Sequence, residues 1–102
     1  MSLKKQYLKS RPVCKVTFRL AKEAAPEATH VHLVGDFNSW QTDETPMKRL
    51  KSGDFTVTLY LPVNQSYQFR YVIDQNAWEN DWDADQYAPS GIAATENSVV
   101  VV

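Results

Sequence analysis

Apolar residues recur at every second position in several short runs of this chain, and this alternation constrains the fold most. Residues 55–61 place Phe, Val, Leu and Leu at alternate positions, and residues 67–73 do the same with Tyr, Phe, Tyr and Ile. Successive side chains of a strand point to opposite faces, so these runs predict strands near 54–61 and 66–74, each with one buried face. Similar patterns predict strands near 13–20, 29–35 and 97–102, and a short one within 47–50.

The segments between these runs predict turns and loops instead of helices. The segment KEAAPEAT contains helix-forming residues, but Pro26 interrupts it. Turn-forming residues are dense in 36–46, and Gly53 favours a hairpin turn before the next strand. From 75 to 96 the alternation is replaced by a polar excursion. We therefore expect an all-β fold, an immunoglobulin-like antiparallel β-sandwich of about seven strands.

The length of 102 residues suits one domain with its own core. Residues 1–10 carry no pattern and are expected to form a loose N-terminal arm, with the sandwich at 11–102. The N-terminal stretch lacks the apolar segment of a secretory signal, and Cys14 has no disulfide partner. A cytoplasmic location is predicted from both features.

Charge and hydropathy exclude two classes of partner. The net charge is −1, and the aromatic residues lie mainly among the acidic residues of the second half, which argues against nucleic-acid binding. No apolar run approaches the roughly 20 residues that cross a bilayer, so we expect no membrane contact.

None of the three tryptophans occupies an inward strand position. Trp40 falls in the polar loop after Asp36, and Trp78 and Trp82 fall in the excursion. Large aromatic rings held in polar loops favour a binding surface, because their flat faces gain free energy only when something covers them. A pyranose ring suits such a surface, since it has apolar faces and a rim of hydroxyls. The alternative that each indole folds back over an end of the sandwich stays open.

Six blocks of the sequence, taken in order, match the pattern of a known family. They are VHLVGDFNSW, PMKRL, GDFTVTLYLP, YQFRYVID, WENDWDAD and ENSVVVV, in that order. Together they resemble carbohydrate-binding module family 48, which includes the glycogen-binding domain of the AMP-activated protein kinase β subunit. The N-terminal, early-set domains of isoamylases and glycogen branching enzymes belong to the same group. The resemblance covers about residues 12–102 and implies non-catalytic binding of α-glucans, such as glycogen and starch-type maltooligosaccharides.

The resemblance also implies roles for individual residues. Trp40 and Trp78 match the two stacking tryptophans of the family, and Arg70 stands where the kinase-subunit domains have a sugar-contacting lysine. Thr95 and Asn97 match a threonine and an asparagine that hydrogen-bond the glucan. These five residues are the expected sugar contacts.

The chain departs from the family pattern in two places. Ala93 stands where the kinase-subunit domains have a leucine that projects into the curve of the glucan, and one residue is inserted in 74–77 before Trp78. Loss of the leucine is expected to weaken the grip on curved glucans. Trp82 has no clear counterpart in the family and is predicted to supply a compensating apolar contact.

Metal binding and catalysis are not predicted. The series Asp81-x-Asp83-x-Asp85 resembles the start of a calcium loop, but Gln86 and Ile92 stand where that loop needs glycine and glutamate. The histidines of the THVH segment have no third ligand near them in sequence. We expect no metal, no cofactor and no enzymatic activity.

Paired carboxylates of the excursion could in principle hydrolyse glycosides. The enzymes of the family, however, perform that chemistry on a separate barrel domain. The expected partners are an α-glucan and a glycogen-metabolising enzyme. The alternative is a protein-interaction or regulatory module on the same fold, associated with such an enzyme or with a kinase-like complex.

Overall fold

A computed structural model describes residues 3–91 and 95–102, and its regular structure consists almost entirely of strands. The strands are β1 (Leu3–Tyr7), β2 (Val13–Leu20), β3 (Val31–Gly35), β4 (Lys48–Arg49), β5 (Phe55–Pro62), β6 (Ser66–Ile73), β7 (Ala77–Glu79), β8 (Gln86–Pro89) and β9 (Glu96–Val101). Two 3-10 turns of three residues, Lys22–Ala24 and Asp36–Asn38, are the helical pieces of the described residues. The all-β prediction is confirmed.

The strands form two antiparallel sheets. Sheet A has the order β1-β2-β5-β4, and sheet B has the order β3-β6-β9-β8, with β7 also paired to β6. The longest pairing joins β2 antiparallel to β5 over eight residues on each strand, although β3 and β4 lie between them in the chain. This arrangement confirms the predicted antiparallel β-sandwich. In the described part of the chain, no helix is long and apolar enough to cross a membrane.

The core lies between the sheets, where the alternating apolar residues meet. Phe18 of sheet A contacts Phe69 of sheet B edge-on, with ring centroids 5.1 Å apart. Tyr71 packs next to Phe69 at 5.8 Å, and all three residues are fully buried. Edge-on aromatic pairs of this kind add stability beyond the apolar area that they bury.

The expectation of a loose N-terminal arm is wrong for Leu3–Tyr7, which form β1. This strand pairs with β2 along its whole length, and Leu3 is buried opposite Phe18. The Lys5 ammonium lies 2.6 Å from a carboxylate oxygen of Asp85, which ties β1 to the segment before β8. The sequence did not reveal the strand because its inner face contains a single buried apolar side chain. Its stability comes from pairing with β2.

The excursion is also more ordered than its sequence predicts. Among the described residues, the sequence failed to predict β7 and β8 as well as β1, and both β7 and β8 lie within 75–96. Val72 of β6 lies on the face opposite to the alternating apolar residues of 67–73, yet it is 1% exposed and lies between His32 of β3 and Trp78 of β7. The outer face of sheet B is therefore covered at this point, whereas a plain alternation predicts an open one.

Candidate functional site

The loop that carries Trp40 starts at a close contact between β3 and β6. A Cβ atom on Gly35 would lie 2.4 Å from the Gln68 carbonyl oxygen and 2.8 Å from the Phe69 Cβ. Because these are far shorter than normal contacts, only glycine fits there. Phe37 then turns inward, with its ring centroid 5.7 Å from that of Phe18. The start of the loop is thus anchored in the core.

Asn38 closes the loop through three hydrogen bonds of its side chain. Its Oδ1 accepts from the Gly35 amide at 3.0 Å, and its Nδ2 donates to the Leu33 carbonyl oxygen at 2.9 Å. The same Nδ2 lies 3.0 Å from the Thr45 hydroxyl on the returning side of the loop. Asparagine supplies the donors and the acceptor that this position needs.

Asp36 holds the indole of Trp40. The indole N–H donates to Asp36 Oδ1 at 3.0 Å, and the second carboxylate oxygen accepts from the Gln68 amide of β6 at 2.8 Å. Ser39 and Trp40 both have φ of +57°, which turns the chain sharply before the ring. Trp40 is half-buried. Because the indole N–H of Trp40 is already hydrogen-bonded to Asp36, the part of the ring left exposed is apolar.

Strand β7 places Trp78 on the same face of sheet B as Arg70. Trp78 lies directly across from Val72, and Arg70 is two residues from Val72 along β6. Positions that pair directly, or that are two residues apart, share a face. Trp78 is 48% exposed.

The chain makes a tight turn before Trp78, in the segment 74–77 where the family resemblance implies an inserted residue. Asp74 and Gln75 have φ of +51° and +62°, and the Asn76 amide donates to the Ile73 carbonyl oxygen at 3.1 Å. The Asp74 carboxylate accepts hydrogen bonds from the amides of His30 and Thr29. These bonds hold the pKa of that carboxyl below its usual value.

A row of polar side chains crosses the same face. Arg70 donates through Nε to Asn97 Oδ1 at 2.7 Å, and Asn97 donates through Nδ2 to Gln68 Oε1 at 2.9 Å. Asn97 is 7% exposed, so its position is fixed by packing as well as by these bonds. The terminal nitrogens of Arg70 have no acceptor among the described residues and remain able to bind a ligand. Gln68 was not among the predicted contacts, although its place two residues before Arg70 on β6 puts it on the same face.

These residues surround one open hollow of about 440 Å³. It is lined by Trp40, Arg70, Trp78, Ser90 and Asn97. Four of the predicted site residues therefore lie together. Ser90, from the unpatterned excursion, gave no sequence signal.

The other predicted site residues have different positions. Thr95 is exposed, and its hydroxyl hydrogen-bonds the hydroxyl of Ser90 at the rim of the hollow. Trp82 is 61% exposed, donates to Glu79 Oε1 at 3.3 Å and is not among the described residues that line the hollow. Ala93 lies outside the described residues.

Two carboxylates of the calcium-like series, those of Asp81 and Asp85, are engaged by the protein itself. Asp81 is 1% exposed and accepts hydrogen bonds from the Tyr71 hydroxyl at 2.7 Å and the Asp83 amide at 2.8 Å. Asp85 binds Lys5, as described above, and the Val101 amide at 2.7 Å. Across residues 3–91 and 95–102, no group of three histidine, cysteine or acidic residues is placed to hold a metal ion.

Comparison with known proteins shows the family to which the chain belongs. The chain is 38% identical over 65 residues to the 1,4-alpha-glucan branching enzyme GlgB of Butyrivibrio fibrisolvens, and 37% identical over 65 residues to that of Bacillus subtilis (strain 168). Each match covers 63% of this chain but 10% of the enzyme, so the chain spans only a small part of these relatives. The family model of carbohydrate-binding module 48, the isoamylase N-terminal domain, matches residues 14–88. Because that match covers most of the chain, the protein belongs to carbohydrate-binding module family 48.

Proposed function

We propose that this protein binds α-glucans of the glycogen and starch type, without catalysis, in the hollow between Trp40 and Trp78. The observation that carries the proposal is the joint placement of two partly exposed indoles and Arg70 around one open hollow. The relatives are named as 1,4-alpha-glucan branching enzymes, which supports an α-glucan as the carbohydrate.

The chemistry of the hollow suits a chain of glucose units. The two indoles provide apolar surfaces for sugar rings, and stacking on an aromatic ring contributes about 1–3 kcal/mol by analogy with nucleic-acid bases. Arg70 presents a planar fork that can donate to two hydroxyls at once. Its Nε bond to Asn97 holds that fork in place.

The setting of this function is part of the proposal. The chain matches about a tenth of two glucan branching enzymes, so we propose that it acts beside a glycogen-metabolising enzyme. A cytoplasmic location agrees with its lone cysteine, Cys14, which is a buried free thiol.

Calorimetric titration with maltoheptaose tests the proposal and does not depend on tryptophan as a reporter. Trp40→Ala and Trp78→Ala each remove one stacking surface and are expected to weaken binding about tenfold to a hundredfold. Trp82→Ala is the matched control, because it removes an exposed indole outside the hollow. Its affinity should equal that of the wild type.

Thermal melting of the same variants separates binding from folding. Trp40→Ala and Trp78→Ala should cost far less stability than Phe69→Ala, which empties a core position and costs about 3–5 kcal/mol. If Trp40→Ala melts as early as Phe69→Ala, the indole is structural. If it folds and still binds maltoheptaose normally, the glucan site lies elsewhere.

A further inference from the structure

A second hollow, of about 360 Å³, lies where the β2–β3 connection meets the β4–β5 hairpin. It shares no lining residue with the hollow between Trp40 and Trp78. Part of its lining is apolar and firmly held, since Ala25, Ala28 and Phe55 are buried. Its size falls in the range of small-molecule pockets, about 300–1,000 Å³.

Three cationic side chains line this hollow: Lys22, Arg49 and Lys51. Arg49 pairs directly with Phe55 in the β4–β5 ladder, so it lies on the face of Phe55 and not on the outer face of sheet A. The ion pairs found among the described residues involve Lys5 and Arg19, and none involves these three cations.

The carboxylate in the turn of the hairpin, that of Asp54, forms its ion pair with Arg19 and also attracts Lys22, so it offsets only part of the charge of one of the three cations. Asp54 binds the Arg19 guanidinium at 2.8 Å and accepts from the backbone amide of Lys22 at 2.9 Å. The hydrogen bonds from the Lys22 amide and from Arg19 hold the pKa of Asp54 below its usual value. Asp54 therefore stays ionised and paired with Arg19. The described lining of the hollow contains one acid, Glu23, against three cations.

The Lys22 side chain is also positioned by the hairpin. Gly53 has φ of +94°, and a Cβ there would lie 3.0 Å from Lys22 Cδ and 3.3 Å from Lys22 Cβ. The aliphatic stem of Lys22 therefore packs along the glycine, which limits where its ammonium group can go.

We propose that this hollow binds a phosphate monoester of sugar size. Such a group carries about −1.5 to −2 charges at pH 7, which matches the net positive charge of the lining, and arginine binds phosphate through paired donors. A neutral sugar could accept hydrogen bonds from these groups, but it would gain nothing from their net charge. The phosphate can belong to a free sugar phosphate or to a phosphorylated glucan, and the two sources are distinguished below.

Amide NMR titration of the full chain with glucose 1-phosphate tests the proposal. We expect shifts clustered at residues 22–28 and 49–55, and weaker shifts there with glucose. The double variant Arg49→Gln/Lys51→Gln should bind about tenfold more weakly or worse. The control Lys9→Gln/Arg11→Gln removes the same charge from exposed positions elsewhere and should bind as the wild type does.

Several outcomes would overturn the proposal. They are equal shifts with glucose, equal losses in both double variants, or no shifts at 22–28 and 49–55 up to about 10 mM ligand. A phosphorylated maltooligosaccharide that binds more tightly than glucose 1-phosphate at the same residues identifies the glucan as the source, and the reverse order identifies the free sugar phosphate. Trp40→Ala should leave glucose 1-phosphate binding unchanged, so this proposal and the α-glucan proposal fail independently.

Discussion

A buried hydrogen bond between Tyr71 and Asp81 fastens the excursion after β7 to the core. Tyr71 is fully buried and Asp81 is 1% exposed, and the hydroxyl lies 2.7 Å from the carboxylate. The other carboxylate oxygen accepts from the Asp83 amide, and the Asp81 amide donates to the Ser98 hydroxyl. A carboxylate out of water is tolerated only when it is hydrogen-bonded in this way.

Tyr71→Phe removes the hydroxyl and keeps the ring, so it isolates this hydrogen bond. Bonds to a charged group contribute about 1.5–3 kcal/mol, and the variant should lose that much unfolding free energy. Asp81→Ala should lose more unfolding free energy than Tyr71→Phe, by about 1–3 kcal/mol, because it leaves the buried Tyr71 hydroxyl without its acceptor.

The same pair predicts a dependence on alkaline pH. Burial first, and then the charge and hydrogen bond of Asp81, raise the pKa of Tyr71 well above its ordinary value of 10.0. The folded protein therefore keeps a proton that the unfolded chain releases near pH 10. Stability from Tyr71 is complete below that pH and falls as the pH rises toward the folded pKa. The gap between the wild type and Tyr71→Phe should accordingly narrow above about pH 10.

Urea denaturation followed by circular dichroism measures both effects, at neutral pH and in an alkaline series. One kcal/mol corresponds to roughly 4–8 °C in melting temperature for a domain of this size. Tyr60→Phe is the matched control, since Tyr60 is 56% exposed on the outer face of sheet A. The reasoning is refuted if Tyr71→Phe is no less stable at neutral pH than Tyr60→Phe.

Three further predictions concern the loop before Trp40 and the hairpin. Gly35→Ala should destabilise the protein by about 1–3 kcal/mol in urea denaturation, because its Cβ would meet the Gln68 carbonyl oxygen; an unchanged midpoint would contradict the close approach. Asp36→Ala leaves the Trp40 indole without its acceptor, so it should alter tryptophan emission and weaken maltoheptaose binding, and normal binding would show that Asp36 does not position the ring. The lowered pKa of Asp54 means that its stabilisation is present above about pH 4 and is lost on further acidification, so Asp54→Asn and the wild type should converge at low pH.

The position and type of most strands could be predicted from the sequence, because strand alternation is a local signal. Phe55 to Leu61 and Tyr67 to Ile73 each contain their whole pattern within a few neighbouring residues. The turn at Gly53 is local in the same way, since its positive φ favours glycine whatever surrounds it. The family resemblance likewise implied from sequence alone that Trp40, Arg70 and Trp78 contact the sugar.

Strands and contacts that depend on distant partners could not be predicted in this way. Strand β1 has little apolar pattern and exists because β2 offers it a paired edge, while Lys5 reaches Asp85 eighty positions along the chain. The Arg70 bond to Asn97 joins two strands that are distant in sequence. Trp78 and Trp82 both lie in the polar segment 75–96, but among the described residues only Trp78 lines the hollow. Sequence alone determined which residues alternate and which turns the chain can make. Only the tertiary structure decided which side chains share the hollow, because sheet pairing brings together residues with no local signal of their neighbours.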